Sequence, residues 1–412
     1  MNALYNTGIY LFRLGAKAIS GRNVKAAKML AGQERTEDVL KEKIVPGRKY
    51  IWIHASSLGE FEQGRPLIER IKQSYPDTGI ALTFFSPSGY EVRHNYKGAD
   101  IVCYLPFDTP GRVKRFLDLL KPSMAIFVKY EFWGNYLHEL KRRNIPTYLI
   151  SAIFRDSQPF FKWWGGMFRG MLGCYDTIFV QDADSQRRLN GIGVTNVVVA
   201  GDTRFDRVTD ILKTTVNIPA VDKLKASSTF TFIAGSSWEA DEDIYIPWLN
   251  SHKEVKAIIA PHEFNDSRIA ALRQRIDGPT LLMSEIENAS DQQISEAKAL
   301  IVDCFGLLAS LYRYADLAYI GGGFGEGIHN INEAAVYDIP VMFGPKHSKF
   351  KEARDLIAIG GAFEITDCDS LRSTADSFLT DREKLLACGH KAGEYIRSNI
   401  GASDKVFKCI FA

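Results

Sequence analysis

With 412 residues, the chain is longer than one hydrophobic core usually supports, so two domains are expected. The composition, 46% hydrophobic and 24% charged, is that of an ordinary globular protein, and a net charge of only +2 argues against a nucleic-acid partner. The six cysteines form no CxxC pair, which argues against a zinc site or a disulfide framework and suits a reducing cytoplasm.

The first 30 residues contain basic side chains and no acidic one. Residues 3–19 are predicted to form an apolar helix, interrupted by Arg13 and Lys17, whose apolar run is shorter than the ~20 residues of a membrane span. The pattern also lacks the charge order and cleavage motif of a signal peptide. It favours a basic amphipathic segment, residues 1–25, lying on an anionic membrane face. A surface helix packed on its own domain is the alternative.

From residue 50 onward, short apolar runs alternate with helical segments. We predict a first series of strands at residues 50–55, 80–85, 101–105, 125–128, 147–150, 177–180 and 197–200. A second series follows the polar stretch 206–228, at residues 230–234, 255–260, 299–302, 317–320 and 341–343. Such alternation implies parallel sheets covered on both faces.

The predicted fold is therefore α/β, with two doubly wound, Rossmann-like domains. The N-terminal domain is expected to span residues 26–212 and the C-terminal domain residues 213–412, with a last helix able to pack back on the N-terminal domain. Two such domains are expected to face each other across a cleft formed by the carboxyl ends of their strands.

The predicted strand at 317–320 runs into three glycines, Gly321, Gly322 and Gly323, and then into a helix near Asn332 and Glu333. Glycine lets the backbone approach a ligand closely, and a helix N-terminus offers N–H groups to an anion. The spacing matches neither the dinucleotide fingerprint nor a P-loop. Glu333 could cap the helix or bind ribose hydroxyls. A purely structural loop stays open as an alternative.

Charged residues follow other predicted strands. Lys346, near His347 and Lys349, can neutralise a phosphate. Glu60, at the start of a helix after the first strand, can deprotonate a sugar hydroxyl if it faces the cleft. A glutamate in a first helical turn is also an ordinary partner of the helix dipole.

Three further residues lie at predicted strand ends. Lys129 and Glu131 follow the strand at 125–128 and could form an ion pair, and Arg204 is a candidate anion ligand near the domain junction. Taken singly, each of them also fits an ordinary solvated loop.

Three Asp-x-Asp triplets begin at Asp182, Asp241 and Asp367. Carboxylate pairs of this kind can hold a divalent ion. Asp182 precedes a helical stretch and is predicted to cap it, while Asp241 lies in an acidic helix start. We therefore predict no metal site.

Together these segments resemble one family, the Kdo (3-deoxy-D-manno-octulosonic acid) transferases of lipid A assembly. The matching pieces occur in chain order at residues 52–60, 85–91, 104–110, 131–133, 201–206, 234–239, 321–333 and 343–345. The resemblance implies a GT-B glycosyltransferase of lipopolysaccharide biosynthesis at the cytoplasmic face of a Gram-negative inner membrane. It would move Kdo from CMP-Kdo to the lipid A precursor lipid IVA, with inversion and without a metal or cofactor.

The resemblance also implies roles for individual residues. Glu60 would be the general base, Arg204 would assist the transition state, and Glu131 and Lys129 occupy the family's carboxylate motif. The CMP site would comprise Pro261, His262, Phe305, Gly306, Leu307, Asn330, Ile331, Asn332 and Glu333. The donor phosphate and sugar would lie at Gly321, Gly322, Gly323 and Lys346.

Two positions depart from the family pattern. Lys129 stands where the family usually has a glutamate that supports catalysis, so Lys129 could bind a substrate anion instead. His262 and Glu263 follow Pro261 where the family usually has Arg-His, which weakens the basic contact to CMP.

The acceptor implied by the resemblance is phosphorylated and acylated, and calls for a cationic first domain with a membrane-facing apolar surface. The N-terminal helix is one candidate surface and the aromatic run 160–164 (FFKWW) is another, with a buried helix face as the alternative for that run. Two other functions stay open: a GT-B transferase that uses a UDP-sugar, and a non-catalytic scaffold that binds nucleotide sugars.

Overall fold

The computed structural model describes residues 3–411, apart from the side chains at positions 209, 210 and 214. The chain forms two compact units. The first contains the described residues up to Arg207 together with those from Ile400 onward, and the second spans Val208–Asn399. The division lies inside the helix Arg204–Thr214, which also contains the boundary predicted at 212/213. A continuous helix carries no linker composition, so the sequence offers no sharper mark of this boundary.

The first unit is built on a parallel sheet in the order β3-β2-β1-β4-β5-β6-β7. Its strands are β1 (Tyr50–His54), β2 (Gly79–Phe84), β3 (Ile101–Tyr104), β4 (Met124–Val128), β5 (Thr147–Ala152), β6 (Thr177–Val180) and β7 (Val197–Val199). Every residue of β1 and β2 is buried, as expected for strands with helices on both faces.

The second unit holds another parallel sheet, in the order β10-β11-β9-β8-β12-β13-β14. Its strands are β8 (Phe230–Ser237), β9 (Val255–Pro261), β10 (Thr280–Leu282), β11 (Ala299–Ile301), β12 (Leu317–Ile320), β13 (Val341–Phe343) and β14 (Ala362–Glu364). In each sheet the strand order reverses beside the first strand, between β1 and β4 and between β8 and β12. These are the points at which open α/β sheets bind ligands.

Helices cover the sheets. In chain order they are α1 (Ala3–Ile19), α2 (Val24–Lys43), α3 (Leu58–Ser74), α4 (Pro87–Arg93), α5 (Pro110–Leu120), α6 (Gly134–Arg142), α7 (Gly166–Leu172), α8 (Ala183–Gly191), α9 (Arg204–Thr214), α10 (Pro219–Ala226), α11 (Glu239–Ser251), α12 (Asp266–Gln274), α13 (Asp291–Glu296), α14 (Leu308–Leu311), α15 (Asn332–Ala335), α16 (Lys351–Ile359), α17 (Cys368–Thr380), α18 (Arg382–Ser398) and α19 (Ala402–Phe411). Short 3₁₀ turns occupy Pro159–Phe161, Ile286–Asn288 and Tyr312–Tyr314.

The last helix, α19, lies in the first unit. The Asp206 carboxylate accepts hydrogen bonds from the backbone N–H groups of Gly401 and Ser403, which precede and begin this helix. The ring of Phe411 packs against Tyr75 at the end of α3, with 5.3 Å between the ring centroids.

The N-terminal helix α1 is partly tied to the first unit. Tyr5 donates a hydrogen bond to Asp108, and the Phe12 ring packs against Phe85 and Phe107. Other apolar side chains of α1 are exposed, among them Leu11 and Leu14. Of the helices in residues 3–411, none is long and apolar enough to cross a membrane.

The structure confirms the predicted α/β fold of two Rossmann-like units. All the predicted strands are present, with ends displaced by up to three residues. The sequence analysis missed β10 and β14, which are three residues long and lie at sheet edges. Such short runs have no room for a recognisable apolar period.

Candidate functional site

In the first unit, the candidate residues meet where the strand order reverses. Glu60 lies in the first turn of α3, just after β1, and Glu131 follows the neighbouring strand β4. The Oε2 atom of Glu60 accepts a hydrogen bond from the backbone N–H of Ser57 at 3.0 Å, which closes a capping box. Glu60 therefore lies in the first turn of a helix, as predicted, at the edge of the sheet where the strand order reverses.

Glu131 is buried and held by two side chains. Its Oε2 atom lies 2.9 Å from Nε2 of His54 and also accepts a hydrogen bond from the indole N–H of Trp133. On the other side of the His54 ring, Nδ1 lies 3.0 Å from the carbonyl oxygen of Thr83. Nδ1 also lies 2.9 Å from the Thr83 hydroxyl, so the ring is held at both of its nitrogens. This arrangement fixes the Glu131 carboxyl group in position.

The environment of Glu60 favours its protonated form. Burial raises the pKa of Glu60, and the negative charge of Glu131 raises it further, while His54, the Ser57 N–H and Lys129 act in the opposite direction. A carboxylate whose pKa is raised toward neutrality is a stronger proton acceptor. The electrostatics therefore suit the role of general base.

Lys129 occupies an unusual backbone position. Its φ is 73°, in the left-handed region that non-glycine residues seldom adopt, and its N–H donates to the carbonyl of Ile150 at 2.8 Å. Its Nζ atom lies 5.4 Å from the centroid of the Tyr130 ring. Strained backbone of this kind concentrates at functional sites. The Glu131 carboxylate, which the sequence predicted to pair with Lys129, is in contact with His54 and Trp133.

Arg204 begins α9 and is oriented by Asp202. The guanidinium Nε and Nη2 atoms lie 2.9 and 2.7 Å from Oδ2 of Asp202. Tyr130 lies near both this pair and Glu60. Burial raises the pKa of Tyr130, and the charges that also act on its hydroxyl are those of Arg155, Glu60, Arg204 and Asp202. The structure therefore brings Glu60, Lys129, Glu131 and Arg204 into one region of the first unit.

In the second unit, a cavity of about 850 Å³ opens where the strand order reverses. Residues that follow β8, β9 and β12 form most of its wall. They are Ser237, Trp238, Glu239, Ala240, His262, Glu263, Asn265, Arg268, Gly322, Gly325, Glu326, Gly327, Ile328, His329 and Phe350. Of the residues predicted to bind the donor, His262 and Gly322 line this cavity.

The glycine cluster has a structural role as well as a place in the cavity wall. A Cβ atom on Gly321 would lie 2.2 Å from the carbonyl oxygen of Ser236, and one on Gly323 would lie 2.5 Å from the backbone of Gly344. Gly322 has a φ of 91° and donates its N–H to Asp241 at 2.8 Å. The glycines thus allow the ends of β8, β12 and β13 to approach closely.

Three aromatic rings are stacked at the cavity wall. The His262 ring lies 4.5 Å, centroid to centroid, from Trp238 on one side and from His329 on the other. Burial and the neighbouring His262 lower the pKa of His329 to about 4, so this imidazole is neutral at neutral pH. The sequence analysis did not assign Trp238 and His329 to the site. Both residues belong to motifs that follow predicted strands, and this position was the feature of the sequence that could have indicated their place in the site.

The other predicted donor-site residues lie at the same edge of the sheet, outside the cavity wall. Pro261 ends β9, and the exposed Phe305 packs on Phe264, with 4.7 Å between the ring centroids. Gly306 and Leu307 follow and lead into α14. The backbone N–H of Lys346 donates to Gly323 at 2.9 Å, and the Lys346 side chain is exposed.

The helix after the glycine cluster is shorter than expected. Asn330 donates to the Glu333 carboxylate at 2.9 Å, and Ile331 leads into α15, which is a single turn. One turn aligns few peptide dipoles, so loop N–H groups are better anion donors here than the dipole of α15. The buried amide of Asn332 has no hydrogen-bond partner for Nδ2 or Oδ1 among the described residues.

The first aspartate of each Asp-x-Asp triplet accepts structural hydrogen bonds from the backbone. Asp182 caps α8 through the N–H of Ser185, and Asp367 caps α17 through the N–H of Ser370. Asp241 accepts from Gly322 and is fully buried. Within residues 3–411, no group of three or more His, Cys, Asp or Glu side chains is arranged to hold a metal ion.

The aromatic run 160–164 was predicted to be either a membrane-facing surface or a buried helix face, and it contains both buried and exposed side chains. Phe160 is buried and packs against Phe132 and Phe154. Trp163 is 92% exposed and Trp164 is also exposed. The run therefore anchors itself in the first unit through Phe160 and presents two tryptophans to solvent.

The comparison with known proteins adds a family to this geometry. A family model described as "3-Deoxy-D-manno-octulosonic-acid transferase (kdotransferase)" matches residues 28–207, which include the Glu60 and Glu131 region. Over this stretch the chain is similar to the Kdo transferases. Its relatives include the 3-deoxy-D-manno-octulosonic acid transferases of Haemophilus influenzae and Aquifex aeolicus, each 26% identical to it. The alignments cover 88% of this chain and 86% of the first relative, and 84% and 90% for the second.

Solved structures superpose on both units of this chain. The UDP-GlcNAc 2-epimerase of Neisseria meningitidis superposes with a TM-score of 0.60 at 13% identity, covering 88% of this chain and 99% of the other. MurG of Acinetobacter baumannii gives a TM-score of 0.57 at 11% identity, with the same coverage. At these identities the likeness shows the fold alone, which is GT-B.

Proposed function

We propose that this chain transfers Kdo from CMP-Kdo to a lipid A precursor, lipid IVA, in lipopolysaccharide biosynthesis. The observation that carries the proposal is Glu60, a partly buried carboxylate with a raised pKa, placed beside Glu131 where the strand order reverses. A position of this kind, in a chain similar to the Kdo transferases, favours glycosyl transfer with Glu60 as the base.

The proposed reaction is a single displacement. Glu60 accepts the proton of the acceptor 6′-hydroxyl while that oxygen bonds to the anomeric carbon of the Kdo residue. The bond from this carbon to the CMP phosphate oxygen breaks, and its electron pair leaves with CMP. Attack opposite the leaving group inverts the anomeric centre. Arg204, oriented by Asp202, is the candidate cation that stabilises the negative charge developing in the transition state.

The second unit is the proposed donor site. CMP carries a planar base and a phosphate, and the cavity offers aromatic rings at Trp238 and His262 together with loop N–H groups after Gly322. His329 is neutral at neutral pH and therefore cannot supply the positive charge for the phosphate. Lys346, exposed beside the glycine cluster, is the candidate cation. The proposed reaction uses no metal, since the aspartates that begin the Asp-x-Asp triplets serve as caps or loop acceptors.

The proposed location is the cytoplasmic face of the inner membrane. Two exposed features support a membrane contact: the apolar side chains of α1 in a stretch rich in basic residues, and the tryptophans Trp163 and Trp164. Basic residues attract anionic lipid, and tryptophan favours the interfacial region of a bilayer.

The proposal is tested by incubating the purified full chain with CMP-Kdo and lipid IVA and by measuring the product by mass spectrometry. We expect a product heavier by one or more Kdo residues and the release of CMP. Tight binding of CMP without any product would support the non-catalytic scaffold. Stronger binding of UDP than of CMP would support a transferase that uses a UDP-sugar.

A further inference from the structure

An apolar groove of about 600 Å³ lies in the first unit between α1, α2 and the start of α4. Its apolar wall includes Phe12, Ala16 and Ile19 of α1, Met29 of α2, and Phe85 and Pro87 after β2. The half-exposed Phe12 and Ile19 leave the groove open to solvent. Open apolar surface of this kind in a folded unit indicates a binding site.

The groove adjoins the carboxylate region through Phe85. The Phe85 ring packs on Trp133 with 4.8 Å between the centroids, and the Trp133 indole donates to Glu131. The backbone N–H groups of Phe85 and Ser86 both donate to the carbonyl of Ser56, four residues before Glu60. A molecule whose reacting hydroxyl lies at Glu60 can therefore extend an apolar chain into the groove along this wall.

Charge at the groove indicates the nature of its ligand. Lys25 lines the groove, and Arg22 precedes Asn23, which also lines it and caps α2. In the part of the chain that the structure describes, neither cation has an acidic partner, and the first 30 residues contain no acidic side chain. An apolar groove beside unpaired cations fits a molecule with a hydrocarbon chain and an attached anion.

We propose that this groove is a binding subsite for an acyl chain of the phosphorylated lipid acceptor, with Lys25 and Arg22 near the acceptor's anionic groups. The proposal rests on the proposed function, because it assigns the chain to the molecule that carries the reacting hydroxyl. The proposed ligand of the groove is one acyl chain of a single acceptor molecule. A general membrane contact would instead bind the surface of the bilayer.

A substitution at Gly15 can fill the groove without disturbing the fold. Gly15 lines the groove, and a Cβ atom at this position would contact nothing within 4 Å. Gly8, on the same helix, has equally open surroundings and is not part of the groove wall. Gly15→Leu is therefore the test variant and Gly8→Leu the matched control, because both replacements improve helix propensity equally.

The first measurement is calorimetric binding of hexyl, octyl and decyl phosphate, each below its micelle concentration. In the wild type and in Gly8→Leu we expect the Kd to fall on the order of tenfold for each added pair of methylenes, since each buried methylene contributes severalfold to affinity. In Gly15→Leu this dependence on chain length should be lost. Equal chain-length dependence in all three proteins, or none in the wild type, would overturn the proposal.

The second measurement is the KM for lipid IVA in detergent solution. Gly15→Leu should raise it on the order of tenfold, while Gly8→Leu leaves it unchanged and kcat stays the same in both. If Gly15→Leu instead weakened binding only to phosphatidylglycerol vesicles, the groove would be a bilayer contact and the proposal would be wrong. Absence of any transfer by the wild type, with the alkyl phosphate series as expected, would contradict the proposed function and leave the acyl-binding groove standing.

Discussion

The Nε2 atom of His54 lies 2.9 Å from Oε2 of Glu131, and both side chains are buried at the point where the strand order of the first sheet reverses. Nδ1 of His54 is oriented by Thr83, and the Glu131 carboxyl is also bound by Trp133. This pair acts on Glu60, because the charge of Glu131 raises the pKa of Glu60 more than His54 lowers it. His54 and Glu131 therefore tune the pKa of the proposed base without being required to touch the substrate.

Replacing Glu131 by glutamine should shift the pH dependence of the reaction. The loss of its charge lowers the pKa of Glu60, so the base stays deprotonated to lower pH and the acid limb of kcat/KM moves downward. The measurement is a pH profile of kcat/KM for both proteins.

The conclusion holds only if the variant keeps its fold, which its unfolding transition would show. An acid limb that stays in place in a folded Glu131→Gln protein would contradict the electrostatic coupling of Glu131 to Glu60.

Replacing Lys129 by glutamate should move the same limb in the opposite direction. The positive charge of Lys129 lowers the pKa of Glu60, and a negative charge at that position would raise it. The acid limb of kcat/KM is therefore expected at higher pH than in the wild type. Lys129→Met, which removes the charge without reversing it, should give a smaller shift in the same direction, and a shift to lower pH in either variant would be inconsistent with this account.

Replacing Trp238 by alanine should weaken the binding of CMP. Removal of one ring from the stack with His262 takes away aromatic contact area, and stacking on a base contributes about 1–3 kcal/mol. We expect the Kd for CMP, measured by calorimetry at pH 7, to rise on the order of tenfold or more. Trp163→Ala, which removes an exposed tryptophan of the first unit, is the control and should bind CMP as the wild type does.

Removal of divalent ions should leave the reaction rate unchanged. Asp182 and Asp367 cap helices and Asp241 holds the glycine loop, so the first carboxylate of each Asp-x-Asp triplet accepts hydrogen bonds from the protein backbone. The initial rate is to be compared with and without excess EDTA. A loss of rate that magnesium restores would show that a metal ion takes part.

Much of the fold could be predicted from the sequence because the strands are long apolar runs between helical segments. The three-residue edge strands at Thr280–Leu282 and Ala362–Glu364 were missed, since so few residues show no period. Glu60, Lys129, Glu131 and Arg204 could be proposed because each follows a predicted strand. The contact of Glu131 with His54 could not, since these two residues meet only through the pairing of β1 with β4.

The donor site shows a similar limit. His262 and Gly322 were predicted and line the cavity, while Trp238 and His329 were recognised only as parts of motifs. Their stacking on His262 depends on the order β9-β8-β12 in the second sheet, which places three loops distant in sequence side by side. Sequence periodicity predicts that strands are parallel but does not specify which ones are neighbours.

The most direct test of the account is Kdo transfer from CMP-Kdo to lipid IVA by the wild type and by Glu60→Gln. Glutamine keeps an oxygen that can accept from the Ser57 N–H, so the capping box and the fold should survive, while the proton acceptor is lost. We predict that the wild type forms the Kdo-bearing product and that kcat of the variant falls by about 10²–10⁴-fold with CMP binding unchanged. Turnover by Glu60→Gln close to that of the wild type would contradict the assignment of Glu60 as the base.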